Sequence, residues 1–284
     1  LEVTVAYPFL LHAYAAFDEH RLSEADLLRV LDMVETFVVR RHVAGIATHG
    51  LNKAFAGLWK QAGETDAGFV ARVGELLAKR ELPTDAQFRE RLQDSQLYGS
   101  GERLKKLKLI LERLEAAAGH KEAVDPTKLS IEHVMPQSLT PEWIAELGPD
   151  AEDVHDDLLH TLGNLTLTGY NSELGNMPFA EKRARYAESH LELNRWFAGI
   201  ARWNKEEIER RAAALAEQAV QCWPWFGGAQ PVHVERVEEE EDDDDSEDPT
   251  GTVPSELVIR GEVFAVRSWA DVAKAVAGYI ARLG

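Results

Sequence analysis

The chain has 284 residues, 45% of them hydrophobic, which is enough apolar material for one large domain or two modest ones. Its single cysteine, Cys222, excludes an internal disulfide and a cysteine-based zinc knot, and no run of about 18 apolar residues or charged–apolar–small leader marks a membrane span or signal. The net charge is −18, but the stretch from Glu235 to Asp248 holds 11 acids and one Arg; the remaining 38 acids and 30 bases are only mildly acidic, so composition neither requires nor forbids a nucleic-acid partner.

In chain order, residues 1 to about 118 read as one helix after another. "SEADLLRVLDMVETFVVRRHV" opens with Ser23 as N-cap and Asp26 three residues on, then places Leu27, Val30, Leu31, Val34, Phe37 and Val38 at helical spacing. "PTDAQFRERLQ" starts a further helix capped by Thr84 or Asp85. "GERLKKLKLILERLEAAAG" puts Leu104, Leu107, Ile110, Leu111 and Leu114 on one face and stops at Gly119. The same helix carries Arg103, Lys105, Lys106 and Lys108, either a phosphate-neutralising face or a solvated one. Arg40, Arg41 and His42 line a DNA path or meet backbone carbonyls at a helix end.

From Thr127 the pattern changes. "LSIEHV" predicts a short strand, "PEWIAEL" a helical turn, "GNLTLTG" a second strand and "MPFAEKRARYAESHLELNRWF" a helix, with a long helix over about 204–220. The knot "CWPWF" either stacks bases or caps a core, and Cys222 reads as a structural thiol. The acidic run with its Gly- and Pro-containing flanks is a linker that is disordered by composition, and "ELVIRGEVFAVRSWADVAKAVAGYIARLG" is a two-strand ribbon and one helix.

Two stretches carry chemistry: "KLSIEHVMPQ" and "HTLGNLTLTGYNSELGN". A histidine at a strand end suits a general base near neutral pH, and an adjacent carboxylate can hold a metal. Magnesium needs few protein ligands, all oxygen, so Glu132 plus an Asn carbonyl such as that of Asn171 suffices. On that pattern His133 is the base, Asn164 holds its imidazole by a hydrogen bond, and Lys182, Arg183 and Arg185 on the next helix meet phosphate. The plainer alternative, a core histidine with Asn residues capping turns, fits the same spacing. His155 reads as a surface residue.

Together "IEHVMPQ … HTLGNLTLTGYNSELGNMPFAEKRARY" resembles the HNH, or ββα-metal, nuclease motif. More narrowly it resembles the C-terminal nuclease module of GmrSD-like modification-dependent (type IV) restriction endonucleases, the SspE-type systems among them. "VVRRHVAGIATHGLNKAFAGLWK" is similar to the helical segment before that module, so the likeness spans about 30 to 200. The resemblance implies His133 as general base, Asn164 as the middle Asn and Asn171 as the last metal ligand, with Asn176 competing for that place. His160 matches a family position that touches phosphate or packs. Glu132 stands where the family more often has Asp, and the four zinc-binding Cys of many HNH nucleases are missing. Full-length relatives also carry an N-terminal nucleotide-hydrolysing sensor module, whose motifs this sequence lacks.

The expectation is therefore a mainly α protein: a helical domain with an embedded ββα-metal (HNH) nuclease unit and a short β-ribbon/helix tail. Its parts are a helical domain over 1–120, the nuclease domain over 121–226, an acidic disordered linker over 227–254 and a small ribbon-and-helix piece over 255–284. It is expected to be a soluble cytoplasmic effector half of an anti-phage defence protein, a piece of a longer chain without its sensor. Its cofactor would be Mg²⁺ or Mn²⁺ and its substrate phage or modified DNA, with Glu132, His133 and Asn171 on the metal. His160, Asn176, Lys182, Arg183 and Arg185 would face substrate. A monomer nicks one strand, and a homo-oligomer is one route to a double-strand cut. The rivals are a catalytically silent DNA- or protein-binding module of the same fold and a purely structural helical domain.

Overall fold

The computed structural model describes residues 3–47, 49–119, 125–169, 174–230, 255–259, 261–268, 271, 272, 274–276 and 279. They are mainly helical, as expected, with two pairs of short strands. No helix among the described residues is long and apolar enough to cross a membrane. The chain divides into two compact units, one of Glu2–Phe37, Ala47–Leu82 and Phe226–Gly284, the other of Val38–Ile46 with Pro83–Trp225.

The first unit contains α1 (Tyr7–Asp18), most of α2 (Glu24–Val43), α3 (His49–Phe55), α4 (Leu58–Ala62) and α5 (Phe69–Ala78). Helix α2 starts at the expected cap: the Asp26 N–H donates to Ser23 Oγ at 3.1 Å, and the Ser23 hydroxyl donates to the Asp26 carboxylate at 2.7 Å. Val30, Val34 and Phe37 form the buried stripe of α2, while Leu31 is turned away and is 40% exposed. Phe37 packs edge-on against Phe55, and Trp59 likewise against Phe69.

The second unit holds the residues singled out above. The last turns of α2 join α6 (Asp85–Asp94) and α7 (Glu102–Ala117) in it. Helix α6 is closed by a full capping box in which Thr84 and Gln87 satisfy each other's backbone N–H. Helix α7 ends just before Gly119, whose φ of 74° only glycine adopts without strain. Leu107, Ile110, Leu111 and Leu114 bury their side chains against Leu162, Leu165 and Leu167. These contacts put α6 and α7 with the strand pair, so the compact unit reaches back to Pro83 rather than to the expected boundary near 120. Arg40, wholly buried, donates to the carbonyls of Trp223 and Pro83 and pairs with Asp85, so it holds backbone together and lines no DNA path. Trp223 sits in the same core against Phe88, so this aromatic of the knot caps a core, with Cys222 half-buried beside it.

Strand β1 (Ser130–His133) is followed by α8 (Pro141–Leu147), α9 (Ala151–Leu158) and the 3-10 turn Leu162–Asn164, which leads into β2 (Leu165–Thr168). The strands run antiparallel, with Glu132 opposite Thr166 and His133 opposite Leu165. Side chains alternate across a strand. Ile131 and His133 therefore share the face of Leu165 and Leu167, while Glu132 and Thr166 point the other way. Helix α10 (Phe179–Ala187) covers that second face. The single helix expected over this stretch instead breaks at Ala187 and resumes as α11 (Glu192–Arg195). The buried Glu115 carboxylate of α7 accepts the Glu192 and Leu193 N–H groups at 2.7 and 2.9 Å, and so fixes a new helix start there. Helix α12 (Lys205–Cys222), capped by Asn204, closes the unit.

At Gly163 the 3-10 turn before β2 lies close against α12. A Cβ at that position would lie 2.2 Å from the Ile208 carbonyl oxygen, so only glycine permits the approach. The guanidinium of Arg211, also on α12 and fully buried, donates to the Gly163 and Leu165 carbonyls at 2.8 and 2.7 Å. In the first unit's tail, β3 (Glu256–Ile259) and β4 (Glu262–Ala265) form the expected ribbon, with Gly261 at φ 89° in its turn. The acidic linker lies outside the described residues.

Candidate active site

His133 ends β1, and the chain beyond it is held by one side chain. Asn164 Oδ1 accepts the Met135 N–H at 2.7 Å, and its Nδ2 donates to the carbonyls of Met135 and Leu159 at 3.0 and 2.9 Å. The Trp203 indole N–H adds a fourth bond to Oδ1 at 3.1 Å, and the Asn164 carbonyl accepts the Val134 N–H at 2.9 Å. Asn164 is completely buried. Its amide is therefore used up on backbone, and the expected hydrogen bond from Asn164 to the imidazole is replaced by a clamp on residues 134 and 135. Any orienting effect on His133 runs through the main chain.

The His133 ring is 5% exposed and touches three side chains. Its Nε2 lies 3.0 Å from His160 Nδ1, its Nδ1 lies 3.4 Å from the Gln137 amide nitrogen, and the Tyr98 ring meets it edge-on at 4.5 Å. Tyr98 also stacks on His160 at 5.2 Å, and the Leu97 and Tyr98 N–H groups donate to the His160 carbonyl. Tyr98, on the loop before α7, thus contacts both rings. Burial, then the neighbouring charges of His160, Lys182 and His155, push the His133 pKa down to about 3. Burial lowers that of His160 too, with His155 and Arg103 adding to it. Both rings are neutral near pH 7, so one nitrogen of the 3.0 Å pair carries the proton and the other accepts it.

His155 is not the surface residue expected. Its side chain is 14% exposed, and its Nε2 lies 3.0 Å from the Pro136 carbonyl, which can only accept, so Nε2 bears the proton.

Glu132 faces away from this pair of rings. Its carboxylate receives the Lys182 ammonium at 2.6 Å, and Lys182 also donates to the His133 carbonyl at 2.7 Å. Both side chains are buried, Lys182 completely. Burial pushes the Glu132 carboxyl up and the Lys182 ammonium down, and each supplies the other's compensating charge. Lys182 is thus an internal cation, in place of the expected phosphate contact. Arg183 is half-buried and donates to the Ile200 carbonyl at 2.6 Å. Arg185 is exposed and lies 3.8 Å from Glu188, and Asn176 is exposed on a turn. Asn171 lies outside the described residues.

Of the residues singled out in the sequence, the fold brings His133 and His160 together, sets Glu132 and Lys182 on the opposite face and places Asn164 behind the β1 exit. Sequence reasoning missed Tyr98, Gln137 and Glu115. Gln137 lay four residues from His133 and was open to consideration; Tyr98 and Glu115 carry no local signal. Among the described residues no group of three or more His, Cys, Asp and Glu side chains could hold a metal ion.

Residues 82–218 match the family model of the GmrSD restriction endonucleases, C-terminal domain. That span reaches from before α6 into α12 and includes every residue of the site. This segment is similar to the GmrSD-type C-terminal domain. No curated protein sequence matches the chain.

Proposed function

We propose that this GmrSD-like domain hydrolyses phosphodiester bonds of DNA, as the nuclease of a restriction system, with His133 as general base in a ββα-metal (HNH) arrangement of β1, β2 and α10. The observation that carries the reading is the neutral, hydrogen-bonded imidazole pair of His133 and His160 at the end of β1, inside a segment that matches a restriction-endonuclease domain. With Nε2–H donated to His160, Nδ1 of His133 keeps its lone pair on the side of the exposed Gln137, where the contact is long at 3.4 Å. Water entering there gives its proton to Nδ1 as its oxygen bonds to phosphorus, and the bond to the departing sugar oxygen breaks. Tyr98 holds both rings in register. Arg103, an exposed cation of α7 that donates to the Gln96 carbonyl and whose charge is felt at His160, would meet a phosphate on this reading.

The family resemblance carries the expectation of Mg²⁺ or Mn²⁺. Magnesium takes oxygen donors in octahedral geometry. Glu132, the carboxylate next to the base, is held by Lys182 on the face opposite the His133 ring, so it does not offer a free oxygen donor to magnesium beside that ring. The proton transfer above rests on this chain's own side chains.

Supercoiled plasmid incubated with the wild type and His133→Ala, each with Mg²⁺, Mn²⁺ or EDTA, tests the reading. Nicked circles from the wild type alone support it, since a single such site cuts one strand. Equal nicking by both variants removes His133 from the chemistry. DNA binding without nicking by either points to a silent binding module of the same fold.

A further inference from the structure

We infer that Glu132 is not a metal ligand in this protein, and that the Lys182 ammonium occupies the place a cation would take at its carboxylate and holds His133 in position. The inference deepens the nuclease reading above, and rests on it only where activity is measured. It starts from β1, where alternation sends Glu132 to the face opposite His133, against α10. There the carboxylate is about as deeply buried as the core around it, at 4% exposure. A carboxylate in such a place needs a compensating charge within contact distance. Lys182 supplies it at 2.6 Å, with no exposed surface of its own.

The same ammonium donates to the His133 carbonyl at 2.7 Å. One lysine on α10 thus fastens two consecutive residues of β1, Glu132 by its side chain and His133 by its backbone. Asn164 fastens the next two, Val134 by its own carbonyl and Met135 by its amide. Four successive positions at the β1 exit are fixed from two sides, and the His133 ring is the group left to face Tyr98 and His160. A divalent ion bound to Glu132 would have to displace an ammonium from the same buried oxygen, or sit beside it as a second positive charge. Lys182 is a positioning residue on this account, acting on the His133 ring through the main chain.

A double-mutant cycle on the whole chain tests this: Glu132→Gln, Lys182→Met and the two combined, each checked by circular dichroism. Lys182→Met alone leaves a buried carboxylate without its partner, and its melting temperature should fall by roughly 10 °C. The double variant should regain most of that loss. A Lys182→Met protein as stable as the double variant overturns the ion-pair account; failure of the single variant to fold while the double folds supports it. The second arm uses MnCl₂ alone as probe. Any shift of the melting temperature caused by Mn²⁺ should be the same for Glu132→Gln and wild type, and a shift present in the wild type but lost in folded Glu132→Gln overturns the inference. In plasmid nicking, the folded double variant should lose at least about tenfold in kcat with KM unchanged, because nothing then holds the His133 carbonyl. A double variant with wild-type kcat overturns the positioning role. If the wild type does not nick at all, the nuclease reading fails while the stability and Mn²⁺ arms still decide whether Glu132 belongs to Lys182.

Discussion

Gly163→Ala is the smallest change that should damage the domain most. The added Cβ would stand 2.2 Å from the Ile208 carbonyl oxygen and 3.0 Å from both its carbonyl carbon and its Cγ2. Ordinary contact begins near about 3.4 Å, so the 3-10 turn and α12 would have to part by about an ångström. Neither can do so freely. Arg211 ties α12 to the Gly163 and Leu165 carbonyls, Ile208 is itself wholly buried, and the next residue of the turn is the Asn164 that clamps Met135. Overpacking against backbone belongs at the upper end of the usual range, about 3 kcal/mol. For a unit of this size that corresponds to a melting temperature lower by roughly 6–12 °C. Urea and thermal unfolding of Gly163→Ala and of Gly199→Ala would measure it. Gly199 is the control, because a Cβ there meets nothing within 4 Å and its φ is ordinary, so its variant should stay within about 0.5 kcal/mol of wild type. A Gly163→Ala protein equally close to wild type would refute the close approach of α12 to this turn.

Asn164→Asp keeps the shape but turns two donated bonds, to Met135 and Leu159, into oxygen–oxygen contacts in a buried place, for a loss of about 2–4 kcal/mol in urea unfolding. Wild-type stability would mean that the amide points the other way round. Arg211→Met leaves the Gly163 and Leu165 carbonyls without their donor and should cost about 3 kcal/mol, whereas Arg210→Met, at an exposed pair with Glu207, should change stability by less than about 0.5 kcal/mol; similar values for the two would refute the role given to Arg211. Stability should also fall in mild acid. Burial, with Lys106 and Arg103 nearby, holds the His42 pKa down to about 4, and that of His133 is about 3, so between roughly pH 6.5 and 4 the unfolded chain binds protons that the folded one refuses. Unfolding free energy then drops as pH falls, by up to about 1.4 kcal/mol per pH unit for each histidine. His42→Gln should flatten this slope in melting curves taken across that window, and an unchanged slope would show that His42 does not contribute.

What one sequence establishes here is local. The Ser23 and Thr84 caps, the stop at Gly119, the two short strands and the long α12 were all legible, because each depends on residues within a few positions of one another. The motif order around His133, His160 and Asn164 was legible as a family resemblance, and the match of residues 82–218 to a restriction-endonuclease domain agrees with that resemblance. What those residues touch was not. The periodicity of "MPFAEKRARYAESHLELNRWF" runs on as if it were one helix, and it breaks because Glu115, 77 residues earlier, caps a new helix start.

Lys182 and Arg183 carry the charge that a phosphate contact needs, so composition places them at substrate. Only the packing of α10 over β1 decides that one meets Glu132 and the other the Ile200 carbonyl. Tyr98 has no signal in its neighbours, and it becomes part of the site because the loop before α7 is bonded to the His160 carbonyl. Periodicity, caps and motif spacing are written along the chain, where single-residue preferences act. Which charge is buried, which histidine is desolvated and which amide holds backbone depend on the faces that meet in space, and burial is the term that sets their cost.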